Sequence, residues 1–413
     1  MNNKVFITGL NVISSLGLDL QSNWENLLAG KSGVKRITLF DPSELQTRIA
    51  AQVPDTFEEY ASLKIRKRLA RQMTRVSRMC YVCALDAVEK SGINFGEFDK
   101  SRCAVILGVV STGNSSIEKD TDAKNRIIKG MNNAMSAWIG LEYGLTGPNY
   151  TVATACSSSG YAIGLGYDLI KSGQADVVIT GGADSIINPE EIAGFNELFA
   201  LSVENDPPEK ASRPFSKNRD GFVIGEGAGI MILESEASAL NRKAEVLGEL
   251  AGYAFTNEGY SIMAPMKDGD GMVQTIELAL KQANTDKSEV GYINAHGTST
   301  TLNDRFETLA IKKVFGARAY QIPVSSNKSM IGHTVGAAGV IEGAFTVLSV
   351  IHGRIPPTIN LGEPDPELDL DYVPNCARDH HIKVALSNSF AFGGHNVTLV
   401  FRKAGSIQGS SIH

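Results

Sequence analysis

Tyr150-Thr-Val-Ala-Thr-Ala-Cys156-Ser-Ser-Ser-Gly160 reads as an extended, β-branched lead that turns abruptly into a helix of small side chains. That helix runs on to Ser172 and carries Gly160, Gly164 and Gly166. Each interior glycine costs about 1 kcal/mol against alanine, so such a segment is helical only where packing compensates. Small side chains admit close neighbours, which predicts a helix buried between layers. The design recurs later in the chain, where Ile322-Pro-Val-Ser-Ser leads to His333 and a helix with Gly336, Ala337, Ala338, Gly339, Gly343 and Ala344. The two segments are also followed by similar closing motifs. Gly225-Glu-Gly-Ala-Gly precedes Ile230-Met-Ile-Leu-Glu, and Phe392-Gly-Gly-His-Asn precedes Val397-Thr-Leu-Val-Phe.

A repeat of this kind predicts two similar α/β halves sharing a core. The first half, 1–245, carries Cys156. The second, 246–405, carries His296 and His333, and 406–413 reads as a flexible Ser/Gly-containing tail. Short apolar runs bounded by turn residues supply the strands: Val5-Phe-Ile-Thr-Gly, Ala104-Val-Ile-Leu-Gly, Asp176-Val-Val-Ile-Thr, Tyr292-Ile-Asn-Ala and Lys383-Val-Ala-Leu-Ser. Helical patterning between them is clearest at Trp24 to Leu28, Arg75 to Lys90 and Val273 to Ala283. The predicted architecture is a layered sandwich of helix, sheet, helix, sheet, helix.

The chain has 413 residues, 43% hydrophobic and 20% charged, a size and balance that bury an ample core. This composition excludes disorder, collagen-like repeats and a disulfide scaffold. Five cysteines without framework spacing fit a reducing compartment, the cytoplasm being the expected one. No apolar run is read as reaching the roughly 18 residues of a membrane span, and the opening residues are too short and polar for a signal peptide. A net charge of −6 argues against nucleic acid as partner. Charge is unevenly spread, however. Lys64, Arg66, Lys67, Arg68, Arg71, Arg75 and Arg78 fall in a stretch with no acidic residue, and Arg68, Arg71, Arg75 and Arg78 recur at helical spacing. One such face is either plain solvated surface or a docking site for an acidic partner.

Cys156 sits where a strand meets a helix. Unpaired N–H groups and the helix dipole there favour an anion, which predicts a lowered thiol pKa and a nucleophilic thiolate. Cys80 and Cys83, within the basic helical stretch, read as core. His296, in Asn294-Ala-His-Gly-Thr-Ser-Thr, and His333 both follow predicted strands and are candidates for hydrogen-bond-donor or acid/base work. Neither has a second ligand at i+3 or i+4, so a metal is not expected. Glu342 lies in the predicted buried helix and needs a counter-charge, for which Lys328 is the candidate.

Together Thr154-Ala-Cys-Ser-Ser-Ser, Asn294-Ala-His-Gly-Thr-Ser-Thr, Ser326-Asn-Lys-Ser-Met-Ile-Gly-His and Asn388-Ser-Phe-Ala-Phe-Gly-Gly-His-Asn resemble the signature set of the elongating β-ketoacyl-[acyl carrier protein] synthases of the thiolase superfamily. Ser212-Arg-Pro-Phe and Arg219-Asp-Gly-Phe-Val-Ile-Gly-Glu-Gly-Ala belong to the same pattern, which runs in order from about Lys4 to Phe401. The resemblance implies the αβαβα thiolase fold and a decarboxylative Claisen condensation. In it Cys156 takes an acyl chain, and the backbone N–H groups of Cys156 and Phe392 form an oxyanion hole. His296 and His333 hold the malonyl thioester oxygen. Lys328 and Glu342 form the supporting ion pair, Thr298 and Thr300 bind the pantetheine arm, and Phe392 is a gate. Substrates ride on the phosphopantetheine of an acyl carrier protein, with no other cofactor and no metal. Lys64, Lys67 and Arg68 fall where the family docks that acidic carrier, which weights the basic stretch toward docking. No membrane partner is implied, and the assembly is either a homodimer or a heterodimer with a chain-length-factor subunit.

Related classes separate by residue. A thiolase needs a second catalytic Cys near Phe392-Gly-Gly, and chain-initiating synthases carry Asn in place of His333. A non-catalytic chain-length factor lacks the nucleophile. Three departures from the fatty-acid pattern bear on substrate: a shortened segment from Val109 to Gly130, Met263 in place of a hydroxyl residue, and Ala391 in place of Gly beside the gate. They weight the expectation toward a type II polyketide or polyene ketosynthase, with housekeeping fatty-acid elongation as the alternative.

Overall fold

The computed structural model describes residues 4–113 and 121–404. The 406–413 tail and part of the 109–130 segment lie outside these.

Strands β1 (Val5–Ile13), β2 (Cys103–Gly108), β3 (Asn149–Val152), β4 (Val177–Asp184) and β5 (Gly227–Ser235) form one half-sheet in the order β3-β2-β4-β5-β1. Strands β6 (Gly248–Asn257), β7 (Val290–Asn294), β8 (Val324–Ser325), β9 (Val384–Phe390) and β10 (His395–Arg402) form the other, in the order β8-β7-β9-β10-β6. The permutation is the same in both. So is the pairing: the second strand runs parallel to the third and fourth, and the fifth runs antiparallel to the fourth and first. The half-sheets meet where β1, already paired along its length with β5, also pairs through Val5, Phe6 and Ile7 with β6.

Six helices complete the layers. In chain order they are α1 (Arg75–Ser91), α2 (Ala134–Tyr143), α3 (Ser158–Lys171), α4 (Asp270–Gln282), α5 (Thr301–Phe315) and α6 (Ala338–His352). Helices α1 and α2 cover the outer face of the first half-sheet, and α4 and α5 that of the second. Between the two sheets lie α3 and α6, so the αβαβα order expected from the repeat is the one observed. Their glycines are contact points. A Cβ on Gly164 would meet the Phe255 ring at 2.4 Å, and one on Gly339 would meet the Gly160 nitrogen at 2.6 Å. The Val340 N–H donates to Ser159 Oγ at 3.0 Å, tying the central helices together.

Two expectations need correction. Val335–His352 is an 18-residue stretch of mean hydropathy 1.6, long and apolar enough to cross a membrane, contrary to the reading that no run approaches this length. It is 89% buried between the sheets, and its hydropathy reflects a helix that meets protein on all sides. Arg68, Arg71, Arg75 and Arg78 do not share one helix. Thr74 Oγ1 accepts the Ser77 N–H at 3.2 Å and caps α1, so Arg68 and Arg71 precede it, the former in the four-residue helix Lys67–Ala70. Arg75 and Arg78 are held within the protein by Glu58, and Arg75 also by the buried Glu226.

Candidate active site

The turn into α3 places the nucleophile candidate. Ala155 sits at φ 50, in the left-handed region that a residue with a Cβ rarely occupies, and Cys156 follows at the helix start. Ser158 Oγ donates to Ala155 O at 2.7 Å and accepts from the Thr154 N–H at 2.9 Å, which holds the bend from within. Cys156 is buried, and the backbone N–H groups of Cys156 and Phe392 lie near enough to its sulfur to favour the thiolate. These two N–H groups belong to different halves of the chain.

The thiol is not acidified. Burial pushes it up to about 12, and Asp184 adds to the rise. The Lys328 charge and the two N–H donors pull the other way without prevailing. The expected lowering by the helix terminus is therefore overturned: in a desolvated site the neutral thiol is favoured.

His296 and His333 lie with ring centroids 5.3 Å apart at 84°. Burial holds both well below the ordinary histidine value, with the nearby Lys328 charge adding to the effect. The rings are neutral near pH 7. The Val335 N–H points at His333 Nδ1 at 3.3 Å, which makes that nitrogen the acceptor and leaves the proton on Nε2 as a donor. Lys328 and Glu342 pair directly, each 1% exposed, while burial raises the Glu342 carboxyl to about 7. Thr298 and Thr300 share a hydrogen bond of 2.8 Å between their hydroxyls.

Phe392 opens a tight turn in which Gly393 and Gly394 adopt φ 79 and 74. A Cβ on Gly394 would sit 2.9 Å from Glu258 Cβ. The turn is held by three hydrogen bonds to the 257–262 segment: Gly393 N–H donates to Ile262 O at 2.8 Å, Glu258 N–H to Gly394 O at 3.0 Å, and Asn257 Nδ2 to Gly393 O at 2.9 Å. Cys156, His296, His333, Thr298, Thr300 and Phe392 all border one cavity of about 530 Å³. Its walls include Val110, Phe195, Phe222 and Val335, and Met263 and Ala391 also face it.

Of the docking candidates, Lys67 and Arg68 are exposed. Lys64 is half-buried and engaged with Asp86, and more distantly with Glu89 at 3.8 Å. Cys80 and Cys83 are buried core residues, and Cys376 is exposed in a loop.

Two buried carboxylates went unnoticed in the sequence. Glu307 on α5 accepts the N–H groups of His296 at 2.9 Å and Gly297 at 2.8 Å, fixing the loop that carries the histidine. Asp184, at the end of β4, accepts from Gly336 at 2.9 Å and from Ser185 at 3.1 Å. Burial raises both acids to about 7. Their only sequence signal is an acidic residue at a strand end or in a helix after a histidine loop.

Comparison with known proteins follows the same order of motifs. Residues 2–239 match the family described as Beta-ketoacyl synthase, N-terminal domain, and residues 247–362 match Beta-ketoacyl synthase, C-terminal domain. The chain is 42% identical to a 3-oxoacyl-[acyl-carrier-protein] synthase 2 of Synechocystis sp., over 97% of this chain and 98% of that one. It is 41% identical to a protein of that description from Coxiella burnetii, with the same coverage. Among solved structures, the ishigamide ketosynthase/chain length factor superposes with TM-score 0.89 at 33% identity, covering 98% of this chain and all of the other. A type II PKS acyl-carrier protein in complex with its ketosynthase bound to the hexaketide gives TM-score 0.88 at 30% identity, with the same coverage.

Proposed function

The chain belongs to the β-ketoacyl synthase family, and from that premise we propose that it elongates carrier-bound acyl chains by decarboxylative condensation, with Cys156 as the acyl acceptor. It is an acyltransferase of the 3-oxoacyl-[acyl-carrier-protein] synthase kind. The observation that carries the assignment of roles is that Cys156, at the turn into α3, and Phe392, at the turn before β10, line one cavity with two neutral histidines.

The chemistry follows from that arrangement. Sulfur attacks the acyl thioester of an acyl carrier protein, the carbonyl oxygen gains charge against the two N–H groups, and the thiol proton passes to the departing pantetheine sulfur. A malonyl thioester on a second carrier then takes the vacated arm site at Thr298 and Thr300. Loss of CO₂ leaves its electron pair on the thioester enolate, whose oxygen is held by the His333 Nε2–H and by an N–H of His296. The enolate carbon attacks the acyl group on Cys156, and the expelled thiolate takes up one proton from solvent, with the high affinity that its burial imposes. Carbon–carbon bond formation here draws its electrons from the lost carboxylate, so the proposed reaction calls for no cofactor beyond pantetheine.

Identity of about 40% along nearly the whole chain to elongation synthases supports fatty-acyl elongation as the pathway. A type II polyketide or polyene role, paired with a chain-length factor, is the second reading. The observation favouring it is that Met263 and Ala391, both departures from the fatty-acid pattern, face the reacting cavity. Intact-mass measurement after incubation with acyl carrier thioesters tests the reaction. An acyl adduct on wild type, absent from Cys156→Ala, is expected. Condensation product formed by Cys156→Ala would sink the assignment. A homodimer that extends saturated acyl chains alone fits elongation, whereas activity only with a second, different subunit fits the polyketide reading.

A further inference from the structure

We infer that Asp184 is a positioning residue that clamps the wall of the acyl cavity to the turn holding His333. Its carboxylate is fully buried, and among the described residues no Lys, Arg or His forms an ion pair with it. Instead it gathers backbone N–H groups from three places. Oδ2 accepts from Gly336 at 2.9 Å. Oδ1 accepts from Ser111 at 3.3 Å and Ser185 at 3.1 Å, and the Val110 N–H beside Ser111 also favours the charged carboxylate. A buried carboxylate without a cation is costly unless such donors surround it, and here the donors are segments of the active site.

Each anchored segment does a separate job. Val110 borders the cavity beside Cys156. Gly336 follows Val335, which has φ 46, lines the same cavity and sends its N–H to His333 Nδ1. Contact at Gly336 is tight: a Cβ there would lie 2.7 Å from Asp184 Oδ2 and 3.1 Å from the Val110 nitrogen. One carboxylate thereby fixes both where the acyl wall stands and which nitrogen of His333 carries the proton. The role rests on the condensation chemistry proposed above.

Asp184→Asn replaces one acceptor oxygen by an NH₂ that faces N–H donors, so it must release either the Gly336 or the Val110–Ser111 side. Gly336→Ala pushes on the same contact from the opposite direction. Both full-length variants are compared with wild type in two half-reactions: acyl transfer to Cys156 from short and long acyl carrier thioesters, followed by intact mass, and CO₂ release from the malonyl carrier. The expected result is a fall in kcat for CO₂ release of about tenfold or more with KM little changed, since small displacements of a catalytic group are costly. A changed ratio of long- to short-chain transfer should accompany it. Equal loss in both half-reactions, tracking loss of folded protein, would overturn the role, as would wild-type behaviour. If Asp184→Asn does not fold, Gly336→Ala decides alone. Failure of wild type to take any acyl group on Cys156 would instead remove the condensation reading itself.

Discussion

Lys328 and Glu342 form an ion pair in which each side chain is 1% exposed, beneath two histidines that the lysine charge helps keep neutral. One partner comes from the short helix Lys328–Ile331 and the other from α6, so the pair joins the loop before His333 to the central helix behind it.

Breaking this pair from one side leaves an uncompensated buried charge, which costs about 3–5 kcal/mol. Glu342→Ala is expected to lower the urea midpoint accordingly. The double variant Lys328→Met, Glu342→Leu removes both charges and should recover most of that loss while remaining inactive in malonyl decarboxylation. Equal destabilisation in the single and double variants would show that volume, and not charge, governs the site.

The raised thiol of Cys156 makes its own prediction. With folded pKa at about 12, the thiolate fraction is small at neutral pH and grows with each step upward in pH. Alkylation by iodoacetamide in the absence of substrate should therefore accelerate about tenfold per pH unit between pH 7 and 10, because the thiolate is the nucleophile. A rate that levels off below pH 8 would mean that the helix terminus and the two N–H donors outweigh burial after all.

His296 and His333 are depressed in pKa, so protonation is reached only well below pH 6.5. Both are neutral donors from pH 6 to 8, and the malonyl decarboxylation rate should show no acid limb assignable to histidine in that window. Removing one such donor, as in His333→Ala, is expected to cost about 10²–10³ in kcat for that half-reaction. An acid limb centred near pH 6.5 that disappears in His333→Ala would contradict the neutral assignment.

How much of this was legible in the sequence depended on whether the signal was local. The central helices announced themselves, because Gly160, Gly164 and Gly339 break helix propensity and so require close neighbours. Strand β6 did not: Gly248–Asn257 contains Glu249 and Gly252 and has no continuous apolar run, yet it opens the second half-sheet. Helix α5 was also missed, its buried face being built partly from Asp304 and Glu307, which accept from backbone N–H groups elsewhere, and from Thr308, which meets the Tyr372 hydroxyl. Asp184 and Glu307 took on meaning only when residues far away in the chain delivered their N–H groups. The basic stretch misled for the opposite reason, since a three-and-four spacing of arginines persists across a helix cap that one threonine sets.

The docking residues before that cap are of two kinds. Arg66, Lys67, Arg68 and Arg71 are exposed, and among the described residues none of them is paired with an acid. Reversing Lys67 and Arg68 to Glu should weaken binding of the acidic carrier markedly at low salt and less at high salt, where charges beyond about 10 Å are screened at 0.1 M. Fold stability should hardly change, as surface charges contribute little to it. Lys64 behaves differently. Its ammonium sits on Asp86, whose side chain is 5% exposed and also accepts the Tyr60 hydroxyl at 2.8 Å and the Asn11 amide at 3.4 Å. Lys64→Glu sets a second carboxylate against that acid, and a drop in stability of at least about 1 kcal/mol is expected, below the cost of a fully buried pair because Lys64 is 26% exposed. Thermal unfolding beside carrier titrations separates the two. Lower affinity without lower stability in Lys67→Glu/Arg68→Glu, and lower stability in Lys64→Glu, is the expected pattern; unchanged carrier affinity at low salt in the double reversal would refute docking at this face.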